Sequence, residues 1–219
     1  TVNKNIVKNV PGAGLVSFSP YDFENTWQST SYATGFILLL PALLLLMLFT
    51  NEYTFKTHRQ NIIDGLSRQQ FISVKIMMAL IFATAATLLV IISALIFGWG
   101  SGTSFSLNGI LFVGYFFLKA LSYNLIAILF SVLVKRTGFA IGIFFIYLGS
   151  ENIASELLNV LSMKLKRENG TDLGNIGDYL PMNAADALLE FPANPIKTMS
   201  KAIMPTDYTW LVFALAISY

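Results

Sequence analysis

The sequence contains no cysteine, one histidine and few charged residues. Without cysteine the chain has neither a disulfide nor a site where a thiolate binds a metal. Only 12% of its 219 residues are charged, and the net charge is +2. So small a charge, with no long basic run, does not favour nucleic acid as a partner. It also leaves too few charged side chains to cover the surface of a soluble domain of this size.

Apolar residues take the place of the missing charge. They make up 55% of the sequence, and the mean hydropathy of +0.64 is typical of membrane proteins. Four apolar runs approach or exceed the length of about 20 residues that a helix needs to cross a bilayer, whereas a fifth, at the C-terminal end, is shorter. The five runs are residues 33–50, 76–97, 107–134, 137–161 and 208–219.

These runs predict an all-α fold, a polytopic bundle of membrane-spanning helices that forms one transmembrane domain over residues 1–219. Residues 1–32 are predicted to form an outer interfacial segment, and residues 162–207 a second outer segment. The chain starts with Thr rather than Met, and the run 208–219 looks like a truncated span. We therefore expect both ends to continue in a longer chain.

Lys and Arg indicate the orientation, because short cytoplasmic loops are enriched in both residues. The loop 98–106 contains neither of them. Residues 51–75 and 135–136 are therefore predicted to face the cytoplasm. The basic residues of these two segments are Lys56, Arg59, Arg68, Lys75, Lys135 and Arg136.

The segment 51–75 has the pattern of a helix rather than of a loop. Its apolar residues recur at helical spacing and leave the other faces polar. Gly65 is predicted to break this helix, and Ser67 to cap the next one. Two interpretations are open: a helix that lies on the membrane surface without a partner, or a docking element for a cytoplasmic protein. The apolar residues are Phe55, Ile62, Ile63 and Leu66.

Taken in order, the residues of this segment resemble the permease subunit of ABC-2-type ATP-binding-cassette transporters. Many family members have Gly where this chain has Lys56, and Pro where it has Gly65, which also breaks a helix. The resemblance is carried by Glu52, Thr57, Gly65-Leu66-Ser67-Arg68, Phe71 and Lys75, and later by Tyr179-Leu180-Pro181 with Ala184 and Ala185.

The resemblance implies six membrane-spanning helices in the whole chain and a cytoplasmic coupling helix over about residues 53–64. It implies that two permease subunits, identical or different, export a substrate, most simply across a bacterial inner membrane. ATP and Mg²⁺ would be bound by two copies of a separate ATPase subunit, since this chain has no phosphate-binding G-x-x-x-x-G-K-[ST] loop and needs no cofactor of its own. The implied ATPase contacts are Glu52, Phe55, Lys56, Thr57, Arg59, Ile62, Gly65, Ser67 and Arg68.

Three charged residues lie inside the apolar runs: Lys119, Glu151 and Glu156. A charge at membrane depth is costly, so it usually faces a cavity or a partner. Lys119 either lines the transport path or binds an anionic head group, or it forms a structural pair with Glu151 or Glu156. By resemblance to the re-entrant span of the family, Ser150, Glu151 and Asn152 are expected to mark a break in the fourth run.

Two other functions stay open. An integral-membrane enzyme would use Glu151, Glu156 and His58, but the predicted topology places His58 on the cytoplasmic side and the glutamates towards the outer side. A membrane anchor or assembly protein without transport would have the same apolar runs. His58 has no second ligand nearby in the sequence, so no metal site is predicted.

Overall fold

The computed structural model describes residues 20–57, 60, 63, 65, 67–170, 173–189 and 209–219, and within these ranges the regular structure is helical. Two short 3-10 turns, Phe36–Leu38 and Ile176–Tyr179, precede the second and the sixth helix. The helices are α1 (Phe23–Gly35), α2 (Leu39–Thr54), α3 (Arg68–Gly100), α4 (Leu111–Val134), α5 (Thr137–Asn169), α6 (Pro181–Ala187) and α7 (Thr209–Ser218).

Four helical stretches are long and apolar enough to cross a membrane: Asn25–Thr54, which runs through α1 and α2, and the helices α3, α4 and α5. Large apolar side chains lie on the outside of these helices, with Leu44, Leu89 and Ile146 exposed to 58%, 64% and 70%. Such a surface suits lipid rather than water. The predicted all-α, multi-pass membrane architecture is confirmed for these four helices.

The first spanning stretch is longer than the run 33–50, because α1 adds residues that pack inside the bundle. Trp27 is 2% exposed, and its indole N–H donates to the carbonyl of Ser106 at 2.9 Å. The 3-10 turn between α1 and α2 has a local cause in Pro41. Proline lacks an N–H, and its ring crowds the carbonyl four residues earlier, here Ile37 within that turn.

The helix α4 is central, since it packs against α2, α3 and α5. Small residues lie at these contacts: Ala120 and Ala127 on α4 and Ala79 and Ala83 on α3 are almost completely buried. In lipid, helices associate through close van der Waals packing, which small side chains permit. Alanine at these positions therefore explains how closely the long helices approach one another.

The two segments predicted to be cytoplasmic lie at the same end of the bundle. Lys135 adopts a left-handed conformation, with φ of 54°, and turns the chain from α4 into α5. The hydroxyl of Thr137, at the start of α5, lies 3.0 Å from that of Thr50 near the end of α2. The basic link 135–136 and the start of the segment 51–75 are therefore neighbours.

Residues 173–189, within the predicted outer segment 162–207, return along α5 into the bundle. The backbone N–H of Gly177 donates to the side-chain oxygen of Asn159 on α5 at 2.8 Å. Further along, Leu189 is 3% exposed and belongs to the same core cluster as Phe116 of α4. This part of the chain therefore places α6 between the spanning helices.

The predicted break in the fourth run is wrong, because α5 is continuous from Thr137 to Asn169. Its polar residues are satisfied without a break. The hydroxyl of Ser150 donates to the carbonyl of Tyr147 at 2.9 Å, and the amide of Asn152 to that of Leu148 at 2.8 Å. Such bonds to the preceding turn let polar side chains remain in a helix.

The packing of residues 173–189 on α5 is tested at Gly177. A Cβ at this position would collide with the backbone carbonyl and the hydroxyl of Ser155. We expect Gly177→Ala to lower the free energy of unfolding by about 1–3 kcal/mol, as overpacking does. Thermal unfolding of the purified protein measures this change. Gly149→Ala on α5 is the control, since its methyl group would meet no neighbour; equal losses in both variants would contradict this packing.

Candidate functional site

An ion pair joins α2 to α3 at the predicted cytoplasmic end. The Nζ atom of Lys75 lies 2.7 Å from Oε2 of Glu52, and the Lys75 side chain is only 4% exposed. The same ammonium lies 3.7 Å from the ring centroid of Phe49 and 4.5 Å from that of Phe71. Aromatic faces attract cations, so the rings and the carboxylate stabilise one charge together. We call Glu52, Lys75, Phe49 and Phe71 the basal clamp.

The basal clamp connects the two ends of the segment that carries the family resemblance. Glu52 opens that motif, and Phe71 and Lys75 close it. Between them the chain leaves α2 and returns as α3. Glu52 therefore has an intramolecular partner, in addition to the ATPase contact that the sequence predicts for it.

The predictions for the residues between α2 and α3 are confirmed in part. Tyr53 still belongs to α2, so the first residues of the predicted coupling helix lie within the spanning helix instead. Lys56 follows in a left-handed conformation, with φ of 58°. The predicted cap is confirmed: Ser67 accepts from the N–H of Gln70 at 3.2 Å, and the Gln70 side chain accepts from the N–H of Ser67 at 2.9 Å.

The other predicted ATPase contacts are exposed wherever the structure describes them. Phe55 and Ile63, two large apolar residues of this segment, are exposed to 73% and 83%. The exposed polar and small residues are Lys56, Thr57, Gly65, Ser67 and Arg68. Three predicted positions, His58, Arg59 and Ile62, lie outside the described residues.

The basal clamp predicts that stability depends on which position carries each charge, and not only on the presence of an ion pair. Glu52→Gln leaves the buried Lys75 without its counter-charge, and we expect a loss of about 2–4 kcal/mol in the free energy of unfolding. The exchange Glu52→Lys with Lys75→Glu again places opposite charges at the two positions. It is expected to stay destabilised, because it places a carboxylate against the Phe49 ring, whose face repels anions.

Thermal unfolding in detergent measures both variants. Arg68→Gln is the control, since Arg68 is an exposed charge in the first turn of α3. Full recovery in the exchanged pair would show that the aromatic rings contribute nothing to the clamp.

A second group of charged residues lies inside the bundle. The Nζ atom of Lys119 on α4 is 3.1 Å from Oδ1 of Asp186 on α6. Tyr123, one turn further along α4, donates its hydroxyl to Oδ2 of the same carboxylate at 3.1 Å. A Cβ on Gly35 would lie 3.1 Å from the ammonium, so glycine leaves room for Lys119 there. We call Lys119, Tyr123 and Asp186 the charge cluster.

Glu151 holds the other end of α6. Its Oε1 atom accepts hydrogen bonds from the backbone N–H groups of Met182 at 2.6 Å and Asn183 at 3.0 Å. N–H groups in the first turn have no acceptor within the helix, so a carboxylate from α5 supplies one. Glu151 is 6% exposed, whereas Glu156 is exposed on a different face of α5. The two glutamates do not form a common site.

The predicted pair of Lys119 with Glu151 or Glu156 is therefore wrong, because α6 supplies the partner carboxylate. The predicted outer segment 162–207 includes Asp186, but neither Asp186 nor Tyr123 was predicted as a site residue. A signal was present, since Asp186 is the single charged residue in the stretch 179–189. An isolated charge among apolar residues is the same signal that identified Lys119.

The electrostatics of Asp186 depend on its neighbours. Burial, the largest effect, and the charge of Glu151 raise the pKa of the Asp186 carboxyl above its usual range, whereas Lys119 and Tyr123 lower it. Without Lys119 only the hydrogen bond from Tyr123 would oppose the effects that raise this pKa. Among the residues that the structure describes, no three His, Asp or Glu side chains come together in a way that suits a metal ion.

The charge cluster is tested by a double-mutant cycle. Lys119→Met is expected to lower the free energy of unfolding by about 2–4 kcal/mol, because Asp186 loses its counter-charge. Adding Asp186→Asn should recover part of this loss, since no unpaired charge then remains. The exposed Lys164→Met on α5 is the control for removing a lysine. Additive effects of the two substitutions in thermal unfolding would rule out the ion pair.

No protein-family model matches the chain, and neither a curated protein nor a solved structure matches it. Three features of the chain itself bear on its function: the basal clamp, the exposed segment between its two halves, and the charge cluster.

Proposed function

We propose that the chain is the permease subunit of an ABC-2-type transporter. In this proposal two permease subunits form a path across the membrane, and separate ATPase subunits supply the energy. One observation carries the proposal: the basal clamp closes the segment whose residues resemble the coupling region of that family. Because the basal clamp holds the two ends of this segment together, a partner that displaces its exposed side moves both α2 and α3.

The exposed side of this segment supports contact with a protein. Phe55 and Ile63 are large, apolar and mostly exposed, although they lie outside the spanning helices. Exposed apolar groups beside polar ones are typical of interaction sites. Arg68, also exposed, provides a donor for acidic groups on the ATPase.

In this mechanism the chain is a transport subunit and not an enzyme. ATP and Mg²⁺ belong to the ATPase, because this sequence lacks a phosphate-binding loop. Closure of the ATPase pair would displace the segment, and the basal clamp would pass the movement to α2 and α3 together. Since α4 packs against both helices, the movement would reach the charge cluster on α4. Export from the cytoplasm, across a bacterial inner membrane, is part of the proposal.

The test is purification of the full-length protein together with its candidate ATPase. Replacing Phe55 and Ile63 by Ala removes the two exposed apolar side chains. We expect ATPase binding to weaken roughly tenfold or more, the effect of losing central contacts in an interface. Retention of the ATPase on the immobilised permease measures binding, and ATP hydrolysis by the complex measures coupling.

The matched control is Leu44→Ala with Leu48→Ala. These residues are also apolar and exposed, but they lie on the lipid-facing side of α2. The control should bind the ATPase as the wild type does. If no ATPase associates with the wild-type chain, the transporter proposal fails. The segment is then a surface helix of a membrane anchor or assembly protein.

A further inference from the structure

We propose that Lys119 and Tyr123 form a binding site for an oxyanion of the transported molecule, a phosphate or carboxylate group, and that Asp186 occupies this site when no substrate is present. The inference rests on the proposed function, because it names the class of substrate for the transport path.

The geometry of the charge cluster is that of a site for a two-oxygen anion. Nζ of Lys119 faces one oxygen of Asp186 at 3.1 Å, and the Tyr123 hydroxyl donates to the other oxygen at 3.1 Å. An ion pair with one oxygen and a hydrogen bond to the other bind and orient a carboxylate, and a phosphate presents the same pair of oxygens. The two donors therefore define a site that is independent of which anion occupies it.

Both donors belong to α4, whereas the anion belongs to another element. Lys119 and Tyr123 are four residues apart on one face of a helix that packs at the centre of the bundle. Asp186 lies on α6, a helix of seven residues. The donors stay in place if Asp186 turns away, so the site does not have to be built when a ligand arrives.

The surroundings allow an exchange of anions. The Asp186 side chain is 32% exposed and that of Lys119 13%, so a competing group reaches Asp186 first, whereas the Oδ1 atom that faces Lys119 is buried until Asp186 moves. Glu151 accepts from the backbone N–H groups of Met182 and Asn183 through Oε1, which holds this carboxylate at the start of α6. An isolated ammonium among apolar helices is costly, so departure of Asp186 favours entry of another anion.

The position of Lys119 suits a molecule that crosses the membrane. It lies roughly 22 Å from the end of α4 at Val134, at 1.5 Å per residue. An anionic group at this depth has left bulk water on the predicted cytoplasmic side, and it needs a fixed positive charge in compensation. A lipid head group and a soluble phosphate present the same oxyanion, so the experiment must distinguish these two sources.

The experiment measures binding of two probes to the full-length protein in phosphatidylcholine nanodiscs. The first probe is phosphatidylglycerol, a lipid with an anionic phosphodiester, and the second is inorganic phosphate. Asp186→Asn removes the internal competitor, and we expect it to tighten binding of one probe about tenfold, because the fraction of free sites rises. Tightening for phosphatidylglycerol assigns a lipid substrate, and tightening for phosphate a soluble one.

Two further variants test whether the tighter binding requires Lys119 and whether it is specific to the loss of Asp186. Adding Lys119→Gln to Asp186→Asn should abolish the gain. Glu156→Gln, which removes an exposed carboxylate from α5, should leave binding unchanged. The proposal is overturned if neither probe binds more tightly to the Asp186→Asn variant, or if Glu156→Gln produces the same gain. It is also overturned if the gain persists without Lys119.

Asp186→Asn leaves Lys119 unpaired, which lowers the stability of this variant. If the variant does not fold, the comparison is wild type against Lys119→Gln with Asp186→Asn, which contains no unpaired charge. The wild type should then bind one probe weakly and the double variant neither, and equal binding would overturn the proposal. No ATPase takes part in these measurements, so their result is independent of whether an ATPase associates with the chain.

Discussion

The structure depends on the requirement that a charge buried among apolar helices has a partner. In water such a charge would be hydrated, but within a bilayer it must find an opposite charge, a hydrogen-bond partner or an aromatic face. Lys75 meets this requirement with Glu52 and Phe49, and Lys119 meets it with Asp186, to which Tyr123 also donates. Each pair joins two different elements, so the charges also determine how those elements are connected.

The two pairs lie at different levels and constrain different movements. The basal clamp joins α2 to α3 at the predicted cytoplasmic end, where the proposed ATPase would bind. The charge cluster joins α4 to α6 deeper in the bundle, and Glu151 adds a link between α6 and α5. The helix α4 connects the two sites, because it carries Lys119 and packs against α2, α3 and α5. A displacement at the clamp therefore reaches α4 through direct helix packing.

The short helix α6 shows how polar contacts position a small element. Seven residues bury little surface, and such a helix is not stable by itself. Glu151 accepts from its first backbone N–H groups, and Lys119 and Tyr123 hold its only charged residue, Asp186. Leu188 and Leu189 then place apolar side chains in the core. A few directional contacts thus hold in place an element that propensity alone would not.

The sequence by itself determined the membrane character, the approximate positions of the four long helices, the link at Lys135 and the cap at Ser67. These features depend on local composition, on apolar run length and on hydrogen bonds between near neighbours. The partner of Lys119 and the place of α6 in the bundle were decided only by the tertiary structure. The physical reason is that Asp186 is distant in the chain from Lys119, and an ion pair between distant residues depends on which elements meet. The lengths of the apolar runs do not indicate which elements come into contact.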